Sequence, residues 1–222
     1  MATKAILFDF GGTLDFDGVT WADRFFPIYR EAGIRAEKDA FYKAFWNSDD
    51  HLPLRHDLDG LGLEQTVSLQ VRDVLHELAP ERPEIAETVV RRFVEQSRWH
   101  FRRNRDFLEP LRRRFKLGIV SNFYGNLQSV LNSEGLGGLF DAIADSEVVG
   151  AKKPEPGIFQ HVLRSFGVEP SEAIMVGDSI ARDMRGAERL GMPHALLHPD
   201  ANPCCGQAKR ISSLTQLEEL LG

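Results

Sequence analysis

Ala5-Ile6-Leu7-Phe8-Asp9-Phe10-Gly11-Gly12-Thr13-Leu14 decides the fold. The four apolar residues read as a buried strand, and Asp9 stands at its tip. Burial opposes the carboxylate charge, and the two glycines remove the side chains that would shield it. A bare carboxylate held there is placed to bind a cation or to attack an electrophile. Taken alone, the same segment also suits an ordinary strand-to-helix turn opened by Asp.

Three later segments repeat the pattern. Ser121-Asn122 follows Leu117-Gly118-Ile119-Val120. Lys153-Pro154 follows the candidate strand Asp141-Ala142-Ile143-Ala144. Gly177-Asp178-Ser179 follows Ala173-Ile174-Met175-Val176, with Asp183 five residues beyond Asp178. In an open parallel sheet the carboxyl ends of the strands share one crevice. Parallel alignment therefore gathers Asp9, Ser121, Lys153, Asp178 and Asp183.

These four motifs, in this order and over the whole length, resemble the haloacid dehalogenase-like hydrolase superfamily, in the branch with a helical cap inserted after the first motif. Four such motifs in sequence are far more specific than any one of them. The resemblance implies an α/β fold: a doubly wound, Rossmann-like parallel sheet with an inserted α-helical cap. It implies a covalent mechanism with Asp9 as nucleophile, Lys153 and Ser121 as its catalytic partners, and an aspartyl-phosphate intermediate. Mg²⁺ is the implied cofactor, held by Asp9, Asp178 and the main-chain carbonyl of Gly11. Asp183 is expected behind the metal, holding a metal-bound water or Lys153. Backbone N–H groups at Gly12 and Asn122 would join Ser121 and Lys153 around the phosphoryl oxygens. The expected substrate is a small phosphorylated molecule.

The sequence departs from the family pattern at Gly11, where most of the family's phosphatases carry a second Asp. That residue protonates the leaving oxygen, help worth roughly 10²–10⁴-fold in rate. Asp15 or Asp17 could supply the proton, although Asp17-Gly18 reads more readily as a turn. Phosphonate-cleaving relatives have a small residue at this position and use a cap lysine, for which Lys38 and Lys43 are candidates. Haloacid-cleaving relatives also lack the second Asp, but carry no counterpart of Asp178. A phosphate-binding regulatory module with weak or no turnover is a further alternative.

Alternation of strand-like and helix-like pieces places the core at 1–16 and 105–222. Strands are expected at 5–9, 117–121, 141–145, 173–177 and 194–197, and helices at 107–115, 126–134, 157–166, 181–190 and 213–221. Residues 17–104 carry helical periodicity, as in Val67, Val71, Val74, Leu75 and Leu78, and read as the cap. The 222 residues are 42% hydrophobic, enough for a real core. The net charge of −6 gives no reason to expect nucleic acid. The basic run from Arg91 to Lys116 reads as the solvated face of helices buried through Phe93, Phe101, Phe107, Leu111 and Phe115. No apolar stretch is long enough for a membrane span. The adjacent pair Cys204-Cys205 suits a reducing, cytoplasmic setting. A monomer or homodimer is expected. Two lesser candidates are a transition-metal site from His194, His198, Cys204 and Cys205, and substrate contact by His51 or His56; neither has a recognised spacing.

Overall fold

A computed structural model describes residues 2–199 and 209–221. Its centre is a parallel sheet in the order β3-β2-β1-β4-β5-β6, six strands among the described residues. The strands are β1 (Ala5–Phe8), β2 (Lys116–Ser121), β3 (Ala142–Asp145), β4 (Ala173–Gly177), β5 (His194–Leu197) and β6 (Lys209–Ile211). β1 lies between β2 and β4, with Phe8 opposite Ile119 on one side and Val176 on the other. All four of its residues are buried. Ile6 and Phe8 join one apolar cluster and Ala5 and Leu7 another, so helices cover both faces of the sheet. This is the expected doubly wound core.

Between β1 and β2 run four helices: α1 (Trp21–Glu31), α2 (Lys38–Arg55), α3 (Leu63–Leu78) and α4 (Ile85–Leu111). Their apolar stripes meet around Phe25, Phe41, Phe45 and Phe93, and this core is continuous with one face of the sheet. The Phe25 and Phe93 rings stack with centroids 4.0 Å apart. Helix α1 begins at Thr20, whose hydroxyl accepts from the Asp23 N–H at 3.2 Å. After β2 come α5 (Leu127–Ser133), α6 (Ser146–Val149) and α7 (Pro156–Phe166). Helix α7 starts with Pro at its first position and ends at Gly167, where φ is +65°. A π-helical turn (Ile180–Met184) precedes α8 (Arg185–Arg189), and a 3₁₀ turn precedes α9 (Glu218–Leu221).

Three sequence expectations change. The separate helix at 107–115 is the last part of α4, which runs unbroken through the expected cap junction at 103–105. The arginines there are good helix formers, and Phe101, Asn104, Leu108 and Leu111 keep one face buried. The helix expected at 181–190 is a π turn followed by a short α-helix. The one at 213–221 is likewise divided, into the 3₁₀ turn Leu214–Leu217 and α9. Strand β6, Lys-Arg-Ile, was not foreseen because three residues, two of them charged, carry no alternation signal. The arginine run is paired with acids from other elements: Arg98 with Glu64 and Glu134, Arg103 with Asp17, and Arg114 with Glu218.

Candidate active site

Asp9 follows the last residue of β1, and its N–H still donates to Val176 in β4 at 2.9 Å. One carboxylate oxygen, Oδ1, accepts from the Phe10 N–H at 2.6 Å and lies 2.6 Å from the Lys153 ammonium. No hydrogen bond reaches Oδ2 among the described residues. The same ammonium is 2.7 Å from Oδ1 of Asp183. Lys153 is 3% exposed, so burial works against its charge; Asp183 and Asp9 together outweigh that cost and raise its pKa. The Asn122 side chain fixes the lysine from behind. Its Oδ1 accepts from the Lys153 N–H at 2.7 Å, and its Nδ2 donates to the Lys153 carbonyl at 3.2 Å.

Asp178 follows β4. It forms with Asp9 and Asp183 a cluster in which one oxygen from each lies within 4.8 Å of the others. Burial, reinforced by Asp9 and Asp183, pushes the Asp178 pKa well above the usual carboxylate range. Burial also raises Asp183, to about 6, against the pull of Lys153. Three carboxylates facing one ammonium leave an excess of negative charge in a poorly hydrated place. This oxygen-rich donor set fits a hard divalent cation.

Glycines make the close approach possible. A Cβ at Gly12 would lie 2.5 Å from Oδ2 of Asp178, and its φ of +81° already disfavours other residues. A Cβ at Gly177 would lie 2.3 Å from Oδ2 of Asp183. Asp183 also accepts from the Ser179 N–H at 2.9 Å, which ties the π turn to the end of β4.

Asp9, Gly11, Asn122, Lys153 and Asp178 line one cavity of about 70 Å³ with Thr20, Trp21, Phe45, Trp46, Asp49, Phe123, Tyr124 and Arg182. Ser121 is buried at the end of β2, opposite Asp145 of β3; it is not among the residues lining that cavity, and its hydroxyl makes no hydrogen bond among the described residues. The loop after it is anchored by Asp145, whose carboxylate accepts from the N–H groups of Gly125, Leu127 and Glu147.

Both carboxylates considered as replacements for the missing acid are otherwise engaged. Asp15 is fully buried and accepts from the Gly12 N–H at 2.6 Å, the Trp21 indole at 2.8 Å and the Arg24 guanidinium at 2.5 Å. Asp17 is held by two Arg103 nitrogens at 2.5 and 2.7 Å. Neither lines the cavity. Lys38 and Lys43 are exposed and also lie outside it. His51 bonds the Asn47 carbonyl, and His56 bonds Asp73. His194 is buried with Nδ1 at 3.0 Å from the Met192 carbonyl; Cys204 and Cys205 lie outside the described residues.

Sequence reasoning missed Asp49, Tyr124, Arg182 and the buried Asp15–Arg24 pair. Arg182 stood in plain view inside the fourth motif. Asp49 carried no signal, because its importance comes only from where α2 places it.

With this geometry in view, comparison with known proteins places the chain. Residues 3–191 match the family model of haloacid dehalogenase-like hydrolases, and the chain belongs to that family. Among curated relatives, the mouse haloacid dehalogenase-like hydrolase domain-containing protein 3 is 41% identical over 92 residues, covering 41% of this chain and 36% of that protein. A phosphoserine phosphatase of Thermus thermophilus is 39% identical over 127 residues, covering 54% of this chain and 50% of that enzyme. The chain thus spans between about a third and a half of the length of these relatives. Among solved structures, the magnesium-bound HAD-hydrolase YfnB of Bacillus subtilis superposes with a TM-score of 0.63 at 23% identity, over 100% of this chain and 99% of that one. That likeness establishes the shared fold. No helix among the described residues is long and apolar enough to cross a membrane.

Proposed function

We propose that this hydrolase is a Mg²⁺-dependent phosphomonoester phosphatase acting through an aspartyl-phosphate on Asp9. The observation that carries the reading is the divided state of the Asp9 carboxylate. Its Oδ1 is taken by Lys153 and the Phe10 N–H, while Oδ2 carries no hydrogen bond among the described residues and is left as the nucleophile. The phosphatase relative supports the choice of ester.

Asp9, Asp178 and the Gly11 carbonyl would hold Mg²⁺, which when bound supplies positive charge to the phosphoryl oxygens and lowers the repulsion between two anions. Oδ2 of Asp9 attacks phosphorus, and the bond from phosphorus to the ester oxygen breaks. The Lys153 ammonium, fixed by Asn122 and Asp183, neutralises charge on the attacking carboxylate and the phosphoryl group. Ser121 and the N–H groups of Gly12 and Asn122 are proposed to hold phosphoryl oxygens. Residue 11 has no acid to give, so water supplies the leaving alcohol's proton. Water then attacks phosphorus, releasing inorganic phosphate and restoring the Asp9 carboxylate.

The test is Asp9→Asn assayed with Mg²⁺ and an aryl phosphate. Turnover should fall to background while the far-ultraviolet circular dichroism and melting temperature stay close to wild type. A wild-type rate in this variant excludes the covalent mechanism.

A further inference from the structure

Beside the nucleophile, the same cavity contains two groups of opposite charge that the proposed chemistry leaves unused. Asp49 comes from α2 and Arg182 from the π turn after β4. Tyr124 donates its hydroxyl to Oδ1 of Asp49, and Gln70 Nε2 donates to the same oxygen at 3.2 Å. Oδ2 of Asp49 accepts no hydrogen bond among the described residues. Burial raises the pKa of this carboxyl, opposed by the Tyr124 hydrogen bond and by the Arg182 charge.

The Arg182 guanidinium forms no hydrogen bond and no ion pair among the described residues, although its charge is felt by both Asp49 and Asp178. Many other arginines here are paired, including Arg24, Arg98, Arg103 and Arg114. A guanidinium has five donors in a rigid fork that matches a carboxylate. Around this pair stand Trp21, Phe45, Trp46 and Phe123, and a cavity of about 70 Å³ favours a small leaving group.

We infer that Asp49 and Arg182 determine specificity, selecting phosphate esters of small acids: Arg182 takes the substrate's carboxylate, and Oδ2 of Asp49 accepts from an adjacent ammonium or hydroxyl. The inference rests on the phosphatase reading. It assigns the leaving group a chemistry: few atoms, one carboxylate and one hydrogen-bond donor. Tyr124 and Gln70 act as positioning residues, since each holds Asp49 rather than the substrate.

Steady-state rates with Mg²⁺ on O-phosphoserine, phosphoethanolamine, phosphoglycolate and 4-nitrophenyl phosphate test it. Phosphoethanolamine lacks the carboxylate, and phosphoglycolate lacks the donor. Wild type should prefer phosphoserine over phosphoethanolamine in kcat/KM by about 10- to 100-fold, the worth of a charge-assisted contact. Arg182→Met should bring that ratio close to one, mainly through KM, and Arg182→Lys should restore part of it. Asp49→Asn should lower the preference for phosphoserine over phosphoglycolate. A ratio equal in wild type and Arg182→Met, or a wild-type preference for phosphoethanolamine, overturns the inference while the phosphatase reading stands. Failure to hydrolyse any ester, the aryl phosphate included, overturns both.

Discussion

Arg24 and Asp15 lie 2.5 Å apart with both side chains sealed from solvent, and they join the segment after the nucleophile to the helical insert. Arg24 also donates to the Ser97 hydroxyl at 2.8 Å and to the Phe93 carbonyl at 3.2 Å, both on α4. Its guanidinium lies 3.9 Å from the Phe93 ring centroid. The pair therefore fastens α1, α4 and the loop beginning at Gly12. Arg24→Met leaves Asp15 as an uncompensated buried charge, a loss of about 3–5 kcal/mol. Urea denaturation should show the unfolding free energy falling by that amount, read as a lower midpoint at unchanged slope. A change below about 1 kcal/mol would mean that the carboxylate finds another partner.

Gly11→Asp introduces the acid that the family resemblance implies at this position, into a space that is already tight. A Cβ at residue 11 would meet Trp21 Nε1 at 3.2 Å, and that indole is anchored to Asp15. The expected result is a stability loss of about 1–3 kcal/mol from overpacking, with no gain in turnover of an aryl phosphate. A rate above wild type would show that the indole yields and that the missing acid limits the chemistry.

Mg²⁺ should raise the melting temperature of the wild-type protein, because it offsets the charge that Asp9, Asp178 and Asp183 concentrate in one buried cluster. Asp178→Asn should abolish most of that shift and leave the variant more stable than wild type in chelator, since a strained carboxylate has been removed. Differential scanning calorimetry with and without Mg²⁺ separates the two effects. An equal shift in both proteins would place the ion elsewhere.

Asp145→Ala removes the acceptor for the N–H groups of Gly125 and Leu127, which fix the end of the loop at 122–126, and for that of Glu147 at the start of α6. Each N–H left without a partner costs about 1–3 kcal/mol where it is buried, and Asn122 loses its fixed position behind Lys153. We expect a lower melting temperature and a fall of roughly tenfold or more in kcat/KM, the sensitivity expected of small misplacements at a reacting centre. Hydrogen exchange at Gly125 and Leu127 should quicken. Unchanged exchange there would mean that the carboxylate is dispensable.

Strands β1 to β5 were readable because each follows a short, largely apolar run closed by a polar or glycine residue, whereas β6 has no such run. β1, β2 and β4 end at Asp9, Ser121 and Asp178 or just before them, as alternation alone suggested. Helix ends were harder. Nothing in Arg102-Arg103-Asn104-Arg105 distinguishes a junction from a continuing helix, and burial of Phe101 and Leu108 settled the matter in favour of α4. Asp15 and Asp17 both stood as proton donors on paper, Asp17-Gly18 reading more readily as a turn. Only the arrival of Arg24 and Arg103 from α1 and α4 shows that both carboxylates hold structure.

The sequence by itself determined the α/β class and the candidate nucleophile, metal-binding acids and lysine, since local periodicity and motif order are written along the chain. Tertiary structure alone decided what surrounds them. Trp21 standing over Gly11, Asp49 bound to Tyr124, and Arg182 facing the same cavity as Asp49 are meetings between segments far apart in sequence. Such contacts arise from how helices pack on the sheet, and one-dimensional spacing holds no record of them.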